Sequence, residues 1–173
     1  GILTTSTPVF MDTWKKAEEI KVPETPIAKA MMGTWELVSR ELPDGTILVP
    51  PKAAGVSIFT NRHFVISVAD STRKAVSGGN SGTYSVSGST LLATMSSTVN
   101  VDDPSVPEGV IVSATPMPLD LPASIEGNKI SFTLPTAQKW EIEGDTFTIF
   151  LPGFYKDTWK RVAKKLEEDY SKV

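Results

Sequence analysis

Residues 125–151 read IEGNKISFTLPTAQKWEIEGDTFTIFL, and apolar side chains fall there on every second position: Ile130, Phe132 and Leu134, then Trp140 and Ile142, then Phe147, Ile149 and Leu151. A period of two is that of an extended strand with one face buried and the other in water. Lys, Ser, Thr and Glu fill most of the intervening positions. Gly127-Asn128 and Gly144-Asp145 interrupt the runs, and both dipeptides enter the left-handed conformations of tight hairpins with little strain. Three antiparallel strands are therefore expected, Lys129 to Leu134, Gln138 to Glu143 and Thr146 to Leu151. IEGNKISF and IEGDTFTI are one hairpin solution used twice, 17 residues apart, which is too few copies for a solenoid.

The same pattern continues towards both ends. Thr34 to Glu41, Gly55 to Thr60, His63 to Ala69, Gly82 to Ser87, Thr90 to Val99, Val110 to Thr115 and Tyr155 to Val162 are short β-branched or aromatic runs bounded by Gly, Pro, Asn and Asp. Alternation assigns Trp35 and Leu37, Val56 and Ile58, and Tyr84 and Val86 to the buried face. The chain is all-β, with about ten strands. An antiparallel sheet of that size escapes exposed edges by closing, so an up-and-down antiparallel β-barrel of about eight to ten strands is expected; a two-sheet sandwich with the same periodicity is the alternative.

The termini read differently. DTWKKAEEIK, from Asp12 to Lys21, sets Trp14, Ala17 and Ile20 near one helical face, and Pro23 and Pro26 are expected to end that short N-terminal helix. Val162, Leu166 and Tyr170 are spaced by four, which predicts a C-terminal helix. The expected organisation is residues 1–30 as a helical lead-in and candidate lid, 31–162 as the barrel, and 163–173 as a helix packed on the same domain. A start at Gly1 without methionine implies that an upstream segment was removed.

Composition excludes several functions. The 173 residues carry 17 Lys plus Arg against 20 Asp plus Glu and no cysteine. Disulfides, thiol nucleophiles and cysteine zinc sites are thereby removed. A net charge of −3 offers no basic footprint for nucleic acid. The apolar runs, such as Gly109 to Ala114, fall far short of the roughly 18 residues of a membrane span. A soluble chain with no membrane insertion and no retained targeting or transmembrane segment is expected, its compartment and oligomeric state left open.

Met32-Gly33-Thr34-Trp35-Glu36-Leu37-Val38-Ser39 opens the first strand, Phe59 to Phe64 and Gly82 to Leu91 form later hairpins, and Trp159-Lys160-Arg161-Val162 ends the last. From about Met31 to Val162 this set resembles the small lipocalin-like (calycin) domains of microbes, with their Gly-x-Trp opening and Trp-x-Arg-Val close. The resemblance implies a calyx able to hold one small ligand, with Arg161 stacked on Trp35 at its closed end as a structural contact. The proline-rich segment Asp102 to Pro122 and the stretch before Met31 depart from that pattern and are candidates to lie over the mouth.

His63 is the only histidine and reads as a strand-end residue beside a turn. Ser77 to Gly82 lacks the Lys-Ser/Thr of a phosphate loop. Asp102, Asp103 and Glu108 lack calcium-loop spacing, so neither a metal nor a cofactor is expected. What remains is an apolar interior, and the candidate ligand-binding residues are Ile58, Phe64, Tyr84, Met95, Phe132, Gln138, Trp140 and Phe147. Phe10, Met11 and Trp14 are the candidate lid. Two functions follow: binding of a small hydrophobic molecule, or, as implied by barrels similar to lipocalins, a cyclase or isomerase acting on a polyketide-like or lipid-derived substrate by folding it under the lid.

Overall fold

The computed structural model describes residues 2–6, 11–15, 25–103 and 106–162. In chain order the elements are β1 (Ile2–Ser6), β2 (Met11–Lys15), α1 (Pro26–Met31), β3 (Gly33–Glu41), β4 (Ile47–Leu48), β5 (Ala53–Phe59), β6 (His63–Asp70), β7 (Ser77–Ser87) and β8 (Thr90–Val101). There follow β9 (Val110–Ser113), β10 (Met117–Pro122), β11 (Ser124–Glu126), β12 (Lys129–Thr133), β13 (Lys139–Glu143), β14 (Thr146–Leu151) and β15 (Tyr155–Arg161). The chain is all-β and antiparallel, with more strands than the pattern predicted. The additional ones are short or proline-bearing.

The main sheet runs β10-β8-β7-β6-β5-β3-β15-β14-β13-β12-β11, with β4 also pairing β3 and β9 also pairing β8. It is curled. Phe59 on β5 and Trp140 on β13 lie four steps apart along this path, which in a flat sheet would separate them by about 19 Å. Their ring centroids are 6.4 Å apart.

The two ends of the path are one stretch of chain, since only Ala123 separates β10 from β11. Met117, Leu119 and Leu121 pair with Met95, Ala93 and Leu91, and the Ala123 N–H continues that row by donating to the Ser89 carbonyl at 2.8 Å. The odd positions of β10 thus face β8, and the even ones, Pro118, Asp120 and Pro122, face the other way. Proline has no donor. The free edge of β10 therefore keeps only the Asp120 N–H, and β10 approaches β12 without forming a ladder. Proline is tolerated on such an edge. The segment Asp102 to Pro122, expected over the mouth, accordingly supplies two strands, β9 and β10, both on β8.

The N-terminal expectation is corrected. Met11–Lys15 is strand β2, paired with β1 from Ile2↔Lys15 to Ser6↔Met11, where the helix predicted over Asp12 to Lys21 was to begin; the rest of that span, 16–21, lies outside the described residues. Thr4, Thr5 and Thr13 are β-branched and favour extended chain, and the partner strand was invisible to a helical-face reading. Phe10 lies outside the described residues, as does the predicted C-terminal helix at 163–173. The helix that does form is α1: Thr25 caps it by accepting the Ala28 N–H at 3.1 Å and Pro26 occupies its first turn, so this proline begins a helix instead of ending one.

Helix α1 closes one end of the curl. Ile27 and Met31 are each 1% exposed and join the core. The Trp35 indole N–H donates to the Met31 carbonyl at 3.0 Å. The Arg161 guanidinium lies 4.0 Å above the Trp35 ring and donates to the carbonyls of Ala30 and Met32. Gly33 has φ +130°, and a Cβ there would sit 2.8 Å from the Arg161 Nη1. Glycine at this position lets the arginine reach the helix.

Candidate functional site

The concave face is set by alternation, corrected at two bulges. On β3 the inward side chains are Trp35 and Leu37, then Arg40, with Leu42 just beyond the strand in the same phase, because the register against β15 shifts between Thr158 and Trp159. On β8 Leu91, Ala93 and Met95 face inward, then Thr98 and Asn100 after a second shift opposite Ser81/Gly82. On β5 the inward set is Ala53, Gly55, Ser57 and Phe59, while Val56 and Ile58 point outward at 37% and 40% exposure. The facing predicted for Val56 and Ile58 is therefore corrected, and the reason is volume. A Cβ on Gly55 would lie 2.7 Å from the Trp159 ring, so the large side chain comes from β15 and β5 turns its small residues inward.

Near α1 the interior is filled by interlocked rings. Phe59 meets Phe64, Tyr84, Trp140 and Phe147 at centroid separations of 6.1 to 6.4 Å. Phe147 also meets Trp35 and Trp140, each at 5.7 Å, and Trp159 at 6.5 Å. Of the candidate ligand-binding residues, Phe64, Tyr84, Phe132 and Phe147 are buried, and all but Phe132 join this ring cluster. Tyr84 donates its hydroxyl to the Thr60 carbonyl. His63 is exposed at the start of β6.

Away from α1 the inward side chains become polar, and many keep partial exposure. Asn80, Met95 and Thr98 stand on β7 and β8; Gln138, Trp140 and Tyr155 stand on and beside β13 and β15. The Thr98 hydroxyl donates to the Asn80 Oδ1 at 2.9 Å. The Trp140 indole donates to the Gln138 Oε1 at 2.8 Å, and the Gln138 Nε2 donates to the Tyr155 hydroxyl at 2.8 Å. Beneath them Arg40 and Asp157 form a buried bidentate pair, Nε to Oδ1 and Nη2 to Oδ2 both at 2.7 Å, with Arg40 Nη1 donating to the Val76 carbonyl at 2.8 Å. Burial opposes the Arg40 charge, but the hydrogen bond and field of Asp157 outweigh it and raise the arginine's pKa. The Arg40 guanidinium also lies 4.5 Å from the Tyr155 ring centroid.

The inward side chains thus form two groups, a buried aromatic floor and a partly exposed, largely polar wall. A shallow cavity of about 270 Å³ touches this wall only at Tyr155, its other lining residues being Glu41, Leu42, Pro43 and Gly45 on one side and Gly153, Phe154 and Lys156 on the other. Met95, Trp140 and Gln138 sit in that wall, while the buried candidates form or flank the floor. Tyr155, Arg40, Asp157, Asn80 and Thr98 escaped the sequence reading. A usable signal was present for two of them: Tyr155 and Asp157 share the parity of Trp159, and a carboxylate on an inward position requires a buried partner. Two further interior atoms, the Ser57 hydroxyl and the Trp159 indole nitrogen, are buried with no hydrogen-bond partner among the described residues. No group of His, Cys, Asp and Glu able to hold a metal occurs among the described residues, nor does any helix there have the length and apolarity to cross a membrane.

No protein-family model matches the chain, and no curated protein matches it. Among solved structures it is similar to a lipocalin-like protein from Bacteroides uniformis ATCC 8492, a crystal structure at 1.79 Å resolution, with 11% identity over 77% of this chain and 99% of that one and a TM-score of 0.35. At that score the fold rests on the strand pairing described above.

Burial pushes the pKa of both interior tyrosines up to about 12. An unfolded tyrosine ionises near 10, so between those values the unfolded chain releases protons that the folded one keeps. Folding stability is expected to fall as pH rises above about 10, by up to about 1.4 kcal/mol per pH unit for each tyrosine. Urea midpoints measured from pH 9 to 11 check this, and Tyr84→Phe should flatten the slope.

Proposed function

We propose that the chain is a lipocalin-like barrel that binds one small, largely apolar molecule in the cup opposite α1. The observation that supports this reading is the change in burial along the concave face: Phe59, Phe64, Tyr84 and Phe147 are buried, whereas Met95, Trp140 and Tyr155 keep partial exposure although they point inward. An apolar wall with a few placed polar groups is the usual lining of a small-molecule site, and withdrawing such a surface from water contributes about 25 cal/mol per Å².

Titration with a naphthalene dye whose emission shifts to the blue in apolar surroundings tests the reading, alongside native mass spectrometry of the purified protein for a solvent-extractable guest. Saturable binding is expected. Met95→Glu and Trp140→Ala should each weaken it by about tenfold or more, because each removes an apolar contact worth at least ~1.4 kcal/mol. Ile58→Glu, on the outer face, should leave it unchanged. Equal losses at all three positions, or no saturable binding at all, would sink the proposal.

A further inference from the structure

The hydrogen-bond chain in the cup wall has only one polarity. An indole N–H donates and never accepts, so the side chain facing Trp140 must present its oxygen, and the 2.8 Å bond assigns Gln138 Oε1 to that place. The Gln138 Nε2 is thereby turned to Tyr155, and an amide nitrogen has no lone pair to offer. The Tyr155 oxygen is consequently the acceptor in the second 2.8 Å bond. Its own proton must point elsewhere. No hydrogen bond donated by Tyr155 occurs among the described residues.

We propose that this phenolic proton is the group that recognises the guest, and that the guest carries a hydrogen-bond acceptor, a carbonyl or carboxylate oxygen, on its otherwise apolar frame. The proposal rests on the cup being a binding site and adds the chemistry of what it selects. Three features make Tyr155 a fixed donor. Its side chain is anchored at both ends, since the ring rests on Arg40 at 4.5 Å and the oxygen is held by Gln138. Arg40 is itself held by Asp157 and the Val76 carbonyl, so it can neither swing out to bind an anion nor release the ring. Burial, aided by the charges of Asp157 and Asp103 and opposed by Arg40 and Gln138, pushes the phenol's pKa up to about 12, which keeps the proton in place at neutral pH. A chain of bonds running in one direction also polarises its last member. Gln138 was the expected polar contact to ligand; with its oxygen committed to Trp140 and its nitrogen to Tyr155, it positions the donor.

The test compares two probes, a propionyl-dimethylaminonaphthalene dye and the same compound with propyl in place of propionyl, which differ only in the ketone oxygen. The wild-type protein should prefer the ketone by about tenfold, the worth of one hydrogen bond to a partly buried acceptor. Tyr155→Phe should abolish the preference while leaving the propyl compound's affinity unchanged. Gln138→Glu supplies a second reading with the tyrosine retained: a carboxylate only accepts, so it takes the Tyr155 proton for itself, and the preference should again vanish. Equal wild-type affinity for the two probes overturns the inference and leaves the binding site standing. Persistence of the preference in either variant overturns it as well, by assigning recognition to another donor. Failure of both probes to bind removes the binding site and the inference together.

Discussion

Asp157→Asn is expected to destabilise the fold by about 3–5 kcal/mol, a large part of the 5–15 kcal/mol that holds a domain of ordinary size together. Asp157 is 2% exposed and its partner Arg40 is fully buried. Asparagine preserves the shape but removes the paired charge, so the buried guanidinium keeps only the field of the Asp70 carboxylate, to which it makes no hydrogen bond. Arg40→Met should produce a loss of similar size by stranding the carboxylate. The double variant Arg40→Met with Asp157→Leu is the informative third member, because two apolar residues in place of a buried ion pair are often neutral or better. Urea denaturation of the three variants checks the ordering: both singles low, the double recovering most of the loss. If the single Asp157→Asn variant falls by less than about 1 kcal/mol, the pair is hydrated and the sealing of this part of the interior is wrong.

That pair also shows where the sequence stopped being informative. The opening stretch, residues 125–151, behaves as its alternation predicts: Phe132 pairs with Trp140, Trp140 with Ile149, and Ile142 with Phe147. In these hairpins one face is apolar and the other charged, so register follows from hydrophobicity alone. β3 breaks the rule because the register shift against β15 leaves Val38 without a partner. Beyond an extra residue in a strand the parity reverses, and Arg40, read outward from Trp35 and Leu37, is turned inward. β5 fails for another reason. Both of its faces carry apolar residues, and the choice between them is made by the volume of Trp159 lying over Gly55, a contact between positions about a hundred residues apart. Pro118 and Pro122 concealed β10 because a proline excludes a central strand but not the free edge of an outer one. The ring-forming members of the candidate site were legible as apolar positions on the inner face. Their division into a packed floor and an open wall was not, because that depends on which rings meet across the curl.

The floor is where the second large effect is expected. Phe147 is fully buried and touches four other rings, those of Trp35, Phe59, Trp140 and Trp159. Phe147→Ala removes the transfer free energy of the ring and leaves a hole that rigid neighbours from four different strands cannot collapse to fill, so a loss of about 3–5 kcal/mol is expected. Phe154→Ala is the control: this phenylalanine sits in the β14–β15 turn at 44% exposure, and its loss should stay within about 0.5 kcal/mol. The two variants separate packing from hydrophobicity, since the same atoms are removed from each. Phe147 also supports Trp140 from below at 5.7 Å, and Trp140 fixes the amide of Gln138. Phe147→Ala is therefore expected to do more than lower the urea midpoint: with the indole free to tilt into the hole, the dye in the cup should bind more weakly and with less blue-shifted emission, whereas Phe154→Ala should leave both unchanged. A Phe147→Ala protein that loses stability yet binds the dye as the wild type does would mean that the floor and the wall are independent, and that the cup is shaped by its rim and not by the rings beneath it.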